Sequence, residues 1–170
     1  MMIRRYRDGD LPQVGNVHAL SRQAAYAELV PHDSLARVTP EAQTAAWSVR
    51  LAAIATPYEM FVAVEGDTVV GFALALAHPG QAAELNAIHV LPEHQGTGIG
   101  RALMAAVVAT FAAWRVADAH LHVIAGNERG QAFYRRTGWH LHGEAGTHEI
   151  AGAVVPVLEY RLDVNGAAGS

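Results

Sequence analysis

The spacing of apolar and polar positions along this chain changes several times, and the changes mark its elements. Two apolar-rich runs, Tyr58 to Glu65 and Thr68 to Ala77, flank Glu65-Gly66-Asp67, which predicts two strands joined by a hairpin turn. A third run starts at Glu84 and stops before Pro92, and a fourth covers 119–125. Both are apolar enough to be parallel strands buried on two faces. Elsewhere the spacing is helical. After a short edge strand at 3–7, Asp8-Gly9-Asp10 is a turn and N-cap signal for a helix reaching about Ala27. Thr39-Pro40-Glu41 supplies an N-cap, a proline at the first helical position and an acid in the first turn. The helix it opens runs to about Ala55, with Trp47, Leu51 and Ile54 at helical spacing. Helices over 99–115 and 128–137 and final strands near 139–145 and 153–162 complete the pattern. One domain over 1–163 is expected, with 164–170 a loose tail that has nothing to bury.

Composition narrows the class. At 170 residues the chain suits one well-cored domain. Hydrophobic residues make up 51%, much of it alanine, and no run approaches the roughly 20 apolar residues of a membrane span. The charged start Met-Met-Ile-Arg-Arg-Tyr-Arg-Asp has no apolar stretch after it, so a cytoplasmic location and no membrane partner are expected. The absence of cysteine excludes disulfides, thiolate metal ligands and an acyl-cysteine route. A net charge of −4 argues against nucleic acid as partner and is compatible with a cationic amine. All twelve basic residues are arginine, a composition bias rather than a functional signal. Among ten histidines, His120 and His122, and likewise His140 and His142, alternate onto one strand face. No HExxH and no evident carboxylate triad accompanies them, so no metal is expected.

The most informative segment is Glu84-Leu-Asn-Ala-Ile-His-Val-Leu-Pro-Glu-His-Gln-Gly-Thr-Gly-Ile-Gly-Arg-Ala-Leu-Met104. A buried strand crosses a glycine-rich turn and enters a helix. Gly96, Gly98 and Gly100 keep side chains out of the way of a ligand and permit φ > 0. The first helical amides lack intrahelical acceptors and lie at the positive end of the helix dipole, which makes a phosphate cradle to which Arg101 adds charge. A Walker A loop needs Gly-Lys-Ser/Thr, and there is no lysine. A dinucleotide loop needs two residues before its last glycine, whereas one separates Gly98 from Gly100.

The actual spacing, Gln95-x-x-Gly98-x-Gly100 after an apolar strand and a proline, resembles the pyrophosphate motif of the GNAT superfamily of N-acetyltransferases. A second block, Leu121-His-Val-Ile-Ala-Gly-Asn127-Glu-Arg-Gly-Gln-Ala-Phe133-Tyr134-Arg-Arg-Thr-Gly138-Trp139, is similar to that superfamily's strand–Asn–helix–Gly–aromatic block, with tyrosine seven residues after asparagine. The matched segments cover roughly 58–160. The resemblance implies an α/β fold with a mixed sheet in the order β-α-α-β-β-β-α-β-α-β-β. It also implies that the strands at 84–91 and 119–125 splay to admit the pantetheine arm of acetyl-CoA, used as cosubstrate without a metal. The pyrophosphate is then expected on Gln95, Gly96, Thr97, Gly98, Ile99, Gly100 and Arg101, and the thioester and pantetheine beside the backbone of Ile88, His89 and Val90, with Asn127, Phe133 and Tyr134 completing the cofactor site. The same resemblance admits a homodimer.

Acetyl transfer to an amine needs a neutral amine, an oxyanion donor and a proton for the leaving thiolate. Tyr134 is the candidate acid. Two candidates remain for the base: Glu84 at the start of the first cleft strand, and His122, five residues before Asn127. His89 ranks behind both because strand alternation points it away from Glu84 unless a bulge intervenes. Tyr26, His32, Trp47 and Arg50 are candidates for the acceptor pocket, in a segment whose sequence does not reveal the acceptor. The leading reading is an N-acetyltransferase acting on a small-molecule or protein amine. A catalytically silent acyl-CoA sensor or interaction module, and a different nucleotide-binding enzyme, are the alternatives.

Overall fold

The computed structural model describes residues 1–167. Seven strands form one mixed sheet: β1 (Met2–Arg5), β2 (Tyr58–Glu65), β3 (Thr68–Leu76), β4 (Ala83–Val90), β5 (Asp118–Ile124), β6 (His140–Ile150) and β7 (Ala153–Asp163). Their spatial order is β1-β2-β3-β4-β5-β7-β6. Every neighbouring pair is antiparallel except β4 and β5. β3 is the spine, buried from Val69 to Leu76. Its alternation serves two helical layers. Gly71 faces Leu103 on α4 (Ile99–Ala113), and a methyl group there would sit 3.2 Å from the leucine. Phe72, one residue on, meets the rings of Trp47 on α3 (Pro40–Ala53) and of His18 on α1 (Leu11–Tyr26). Helices therefore cover both faces.

α4 buries Ile99, Leu103, Met104, Val107 and Phe111, the i, i+4 stripe of a helix lying on a sheet. α3 starts as its sequence predicts, with the Thr39 hydroxyl accepting from the Ala42 amide at 3.2 Å. α1 starts differently. Asp10 precedes it, but its carboxylate makes no cap. Both oxygens lie 2.7 Å from the Arg4 guanidinium, and the Arg7 amide donates to one of them at 2.8 Å. A bidentate pair to a charged donor outcompetes a neutral amide for the same oxygens.

Three differences from the predicted elements have local causes. A short helix α2 (His32–Leu35) occupies the stretch after Pro31, where four residues are too few for periodicity to register. β6 extends to Ile150 because Gly143 and Gly146 sit in register shifts that break its alternation without ending it. Its turn to β7 places Ala151 and Gly152 at φ 48° and 89°, the two positive φ angles of a type I′ hairpin. Finally, Val164–Ala167 form a helical turn rather than the start of a loose tail. Val164 is buried and its amide donates to the Ala117 carbonyl at 2.9 Å. Residues 168–170 of the expected tail lie outside the described residues. No helix among the described residues is long and apolar enough to cross a membrane.

Candidate active site

β4 and β5 pair only at Ala83–Ala119 and Glu84–His120. Beyond that point the two parallel strands separate, and a cavity of about 1250 Å³ opens between them. Its walls come from α1, β4, the loop into α4, β5, helix α5 (Glu128–Arg136) and the β6–β7 hairpin.

At one end lies the glycine loop. Gly98 caps α4 at φ 96° and Gly96 stands at φ 83°, left-handed values that glycine adopts without strain. A Cβ at either position would meet nothing within 4 Å, so both backbones face open space. Ala102 is the first amide to bond back, to the Gly98 carbonyl at 3.0 Å, and among the described residues none of the amides from Gly96 to Arg101 donates to another protein group. Gln95 fastens the loop, donating from Nε2 to the Val90 carbonyl at 2.9 Å. Gly100 has another reason to be glycine: a Cβ there would lie 3.3 Å from the Phe133 ring, which packs against the helix start. Ile99 is in the core and does not line the cavity; only its backbone faces the loop.

The β5 side carries Asn127 as the N-cap of α5, accepting from the Gly130 amide at 2.9 Å. Asn127 lines the cavity, and its amide nitrogen has no hydrogen-bond partner among the described residues. Phe133 and Tyr134 follow on α5, their rings 5.6 Å apart. Burial, aided by the nearby Tyr26 phenol, pushes the Tyr134 hydroxyl well above the ordinary tyrosine value.

The other end gathers around Glu84. Burial raises its carboxyl, but hydrogen bonds from His78 at 2.8 Å and Asn86 at 2.6 Å, with the charge of His120, more than offset this, so its pKa is lowered. Arg50 donates to Asn86 in turn. His122 stands further along β5, 5.6 Å ring to ring from His120 and 3.8 Å from Glu159. His89 is seated deeply: Ser21 Oγ is 2.8 Å from its Nδ1, and the His18 and Phe72 rings lie 4.5 and 5.3 Å away. Burial, with Arg22 and Arg50 nearby, holds its pKa down to about 3. His18 is likewise kept neutral, chiefly by burial. It accepts the Trp47 indole N–H on Nδ1 at 2.9 Å, so its proton sits on Nε2.

The structure thus brings Glu84, Ile88, His89, Val90, Gln95, Gly96, Thr97, Gly98, Gly100, Arg101, His122, Asn127, Phe133 and Tyr134 to one cavity. Of the acceptor-pocket candidates, Tyr26 and Arg50 line it, whereas Trp47 is buried beneath His18 and His32 lies on α2 away from it. Sequence reasoning missed His18, Ser21, Arg22, Asn86 and His148. The first three share one face of α1 at i, i+3, i+4 spacing, a polar stripe on an otherwise apolar side that was the available signal.

The Acetyltransferase (GNAT) family profile matches residues 23–139, and the chain belongs to the GNAT acetyltransferase family. Its sheet, with the splayed parallel pair, is the GNAT acyl-CoA N-acyltransferase fold. It is 37% identical over 75 residues to an uncharacterized N-acetyltransferase of Mycobacterium tuberculosis, covering 44% of this chain and 48% of that protein. It is also 37% identical over 83 residues to the mycothiol acetyltransferase of Kocuria rhizophila, covering 44% of this chain and 27% of that one. The chain therefore spans about half the length, or less, of the curated relatives it matches. The crystal structure of PaiA N-acetyltransferase from Thermoplasma acidophilum in complex with coenzyme A superposes with a TM-score of 0.70 at 18% identity, covering 93% of this chain and 96% of that one.

Proposed function

We propose that this chain transfers the acetyl group of acetyl-coenzyme A to a primary amine of a small molecule or protein, by direct attack within a ternary complex. The observation that carries the reading is that a single cavity joins a loop of unpaired amides at one end to a hydrogen-bonded carboxylate, Glu84, at the other. A family neighbour of the same fold binds coenzyme A, and the open space over Gly96 and Gly98 fits a pyrophosphate. The absence of cysteine favours direct transfer over an acyl-enzyme.

In this reading the amides of residues 96–101 and the Arg101 side chain hold the pyrophosphate. The edge of β4 from Ile88 to Val90, unpaired on its β5 side, offers backbone donors to the pantetheine arm and to the oxygen that gains charge during attack. Asn127 steadies the arm. Glu84 draws in the ammonium form of the acceptor and takes its proton, directly or through water, and His122 is the second candidate for that proton. Tyr134 keeps its own proton across the working pH range. It therefore stabilises the departing sulfur by donating a hydrogen bond, and the thiolate takes its proton from solvent as it leaves.

Release of free thiol from acetyl-CoA, followed across a panel of primary amines, tests this directly. Amine-dependent release is expected. Tight acetyl-CoA binding with no amine-dependent release from any acceptor would favour the silent sensor.

A further inference from the structure

The cavity is far more basic than the chain. Five arginines line it, Arg22, Arg50, Arg101, Arg129 and Arg136, against a single carboxylate, Glu84, in a protein of net charge −4. They fall into two groups. Arg101, Arg129 and Arg136 belong to α4 and α5, beside the loop assigned to the pyrophosphate. Arg22 and Arg50 belong to α1 and α3, on the Glu84 side. A pyrophosphate at the α4 loop gives this second group nothing to neutralise.

Neither Arg22 nor Arg50 has a carboxylate within ion-pair distance among the described residues. Arg22 lies with its guanidinium carbon 5.7 Å from the centre of the Tyr26 ring. Arg50 lies 4.9 Å from that of Trp47 and gives one hydrogen bond, to the Asn86 side-chain oxygen. Each guanidinium has five donors, so most of this capacity is unspent. Arg22 and Arg50 line the cavity with His18, His89 and His148, and their charges depress the protonation of all three imidazoles. A polyamine entering here would meet two like charges for each attraction to Glu84.

Resting on the acetyltransferase reading, we infer that the acceptor is a zwitterion: a primary amine with a carboxylate only a few bonds from its nitrogen, as in an amino acid. Glu84 takes the ammonium and the Arg22–Arg50 pair takes the carboxylate. The short separation follows from the hydrogen-bond chain, since Arg50 reaches Glu84 through Asn86 alone. Arginine suits the task because its planar fork meets both carboxylate oxygens at once. This reverses the preference for a cationic acceptor that net charge suggests, because the charge of the whole chain is not the charge of the pocket.

Matched pairs test the inference: L-ornithine with putrescine, L-tyrosine with tyramine and L-histidine with histamine, each assayed for thiol release at saturating acetyl-CoA and for thermal stabilisation of the coenzyme A-loaded protein. The amino acid of the best-accepted pair should exceed its decarboxylated partner in kcat/KM by at least about tenfold, the cost of one lost hydrogen bond to a charged group. Arg50→Glu, at a solvent-exposed position, should lower that ratio by at least about tenfold, and Arg22→Gln should lower it in the same direction. Thiol release that favours the decarboxylated amines overturns the inference while leaving acetyl transfer intact, and so does a ratio untouched by both substitutions. No thiol release from any compound, with amino acids alone still stabilising the loaded protein, overturns acetyl transfer and upholds the zwitterion site. If no compound is turned over or stabilises, both fall.

Discussion

Glu84 and His89 face the same side of β4 although five positions separate them. Their partners on β3 are Leu76 and Phe72, which lie on one face, and the register slips by one residue between Ala75–Leu85 and Leu74–Ala87. Asn86 is the extra residue. The bulge reverses the parity of the strand and turns His89 toward the wall that also carries Glu84. The same displacement sets Asn86 where it bridges Glu84 and Arg50. Deleting Asn86 should straighten the strand with His89 still opposite Phe72 and on the face of Glu84, but it removes the bridge from Glu84 to Arg50, so acceptor turnover should be lost with coenzyme A affinity falling less. Equal losses in both would show that the bulge serves only the fold.

The pH profile separates the two candidate bases. The Glu84 carboxyl lies below its ordinary 4.5, so it is ionised from neutral pH down past that value. If it takes the proton directly, kcat/KM at constant neutral-amine concentration stays flat through the histidine range and falls only below about pH 4.5. An acidic limb at higher pH than the Glu84 carboxyl allows, lost in His122→Asn, would assign the base to His122. Glu84→Gln is expected to cost more than His122→Asn, by about 10²-fold in kcat/KM, because the carboxylate also attracts the ammonium.

Tyr134→Phe should reduce kcat by about 10²-fold with little change in acetyl-CoA affinity. Because burial raises this phenol, its ionisation contributes no alkaline limb below pH 10, and the variant's profile should keep the wild-type shape. Wild-type turnover in the Phe variant, with chemistry rate-limiting, would leave Tyr134 a packing residue beside Phe133.

Gly98→Val meets two obstacles. The backbone stands at φ 96°, which a β-branched residue tolerates poorly, and its Cβ would project into the open space assigned to the pyrophosphate. Backbone strain of about 1–3 kcal/mol should lower thermal melting, and coenzyme A affinity should fall by at least about 10²-fold because the new side chain occupies the space assigned to the pyrophosphate. A folded variant with unchanged coenzyme A affinity would remove the phosphate from this loop.

Away from the cleft, the Arg4–Asp10 pair is expected to hold the start of α1. Asp10→Ala should destabilise the protein by about 3 kcal/mol, since the carboxylate is buried and satisfies two partners. Arg4 depresses the Asp10 pKa below its ordinary 3.8. The stabilisation is therefore fully present above that value and is lost as pH falls through the lower folded pKa. Acid titration of thermal stability in wild type and Asp10→Ala should converge at low pH; parallel curves would contradict the assignment.

How much of this was legible in the sequence depended on whether a signal was local. The strands from Tyr58 and Thr68, the helix opening at Thr39 and the helix opening at Ile99 were legible because turn residues, caps and periodicity all reside within one element. Most residues at the glycine-loop end of the cavity were legible because glycine spacing and the Asn127–Tyr134 interval are local too. Those at the Glu84 end were not. A one-residue bulge leaves no mark in the pattern of Leu85-Asn86-Ala87, so alternation misplaced His89. Arg22 and Arg50 are distant in sequence and meet only because α1 and α3 pack on the same face of the sheet. Trp47 sits at a helical apolar spacing that fits a pocket wall and a core position equally, and it proved to be core, holding His18 from behind.

Acetyl transfer is tested most directly by the mass of the product formed from acetyl-CoA and a saturating primary amine, followed in wild type and in Glu84→Gln. An acceptor heavier by one acetyl group is expected, formed in step with free coenzyme A and about 10²-fold more slowly in the variant. Free coenzyme A released without any acetylated amine, at a rate that amines and the Glu84→Gln substitution leave unchanged, would contradict it.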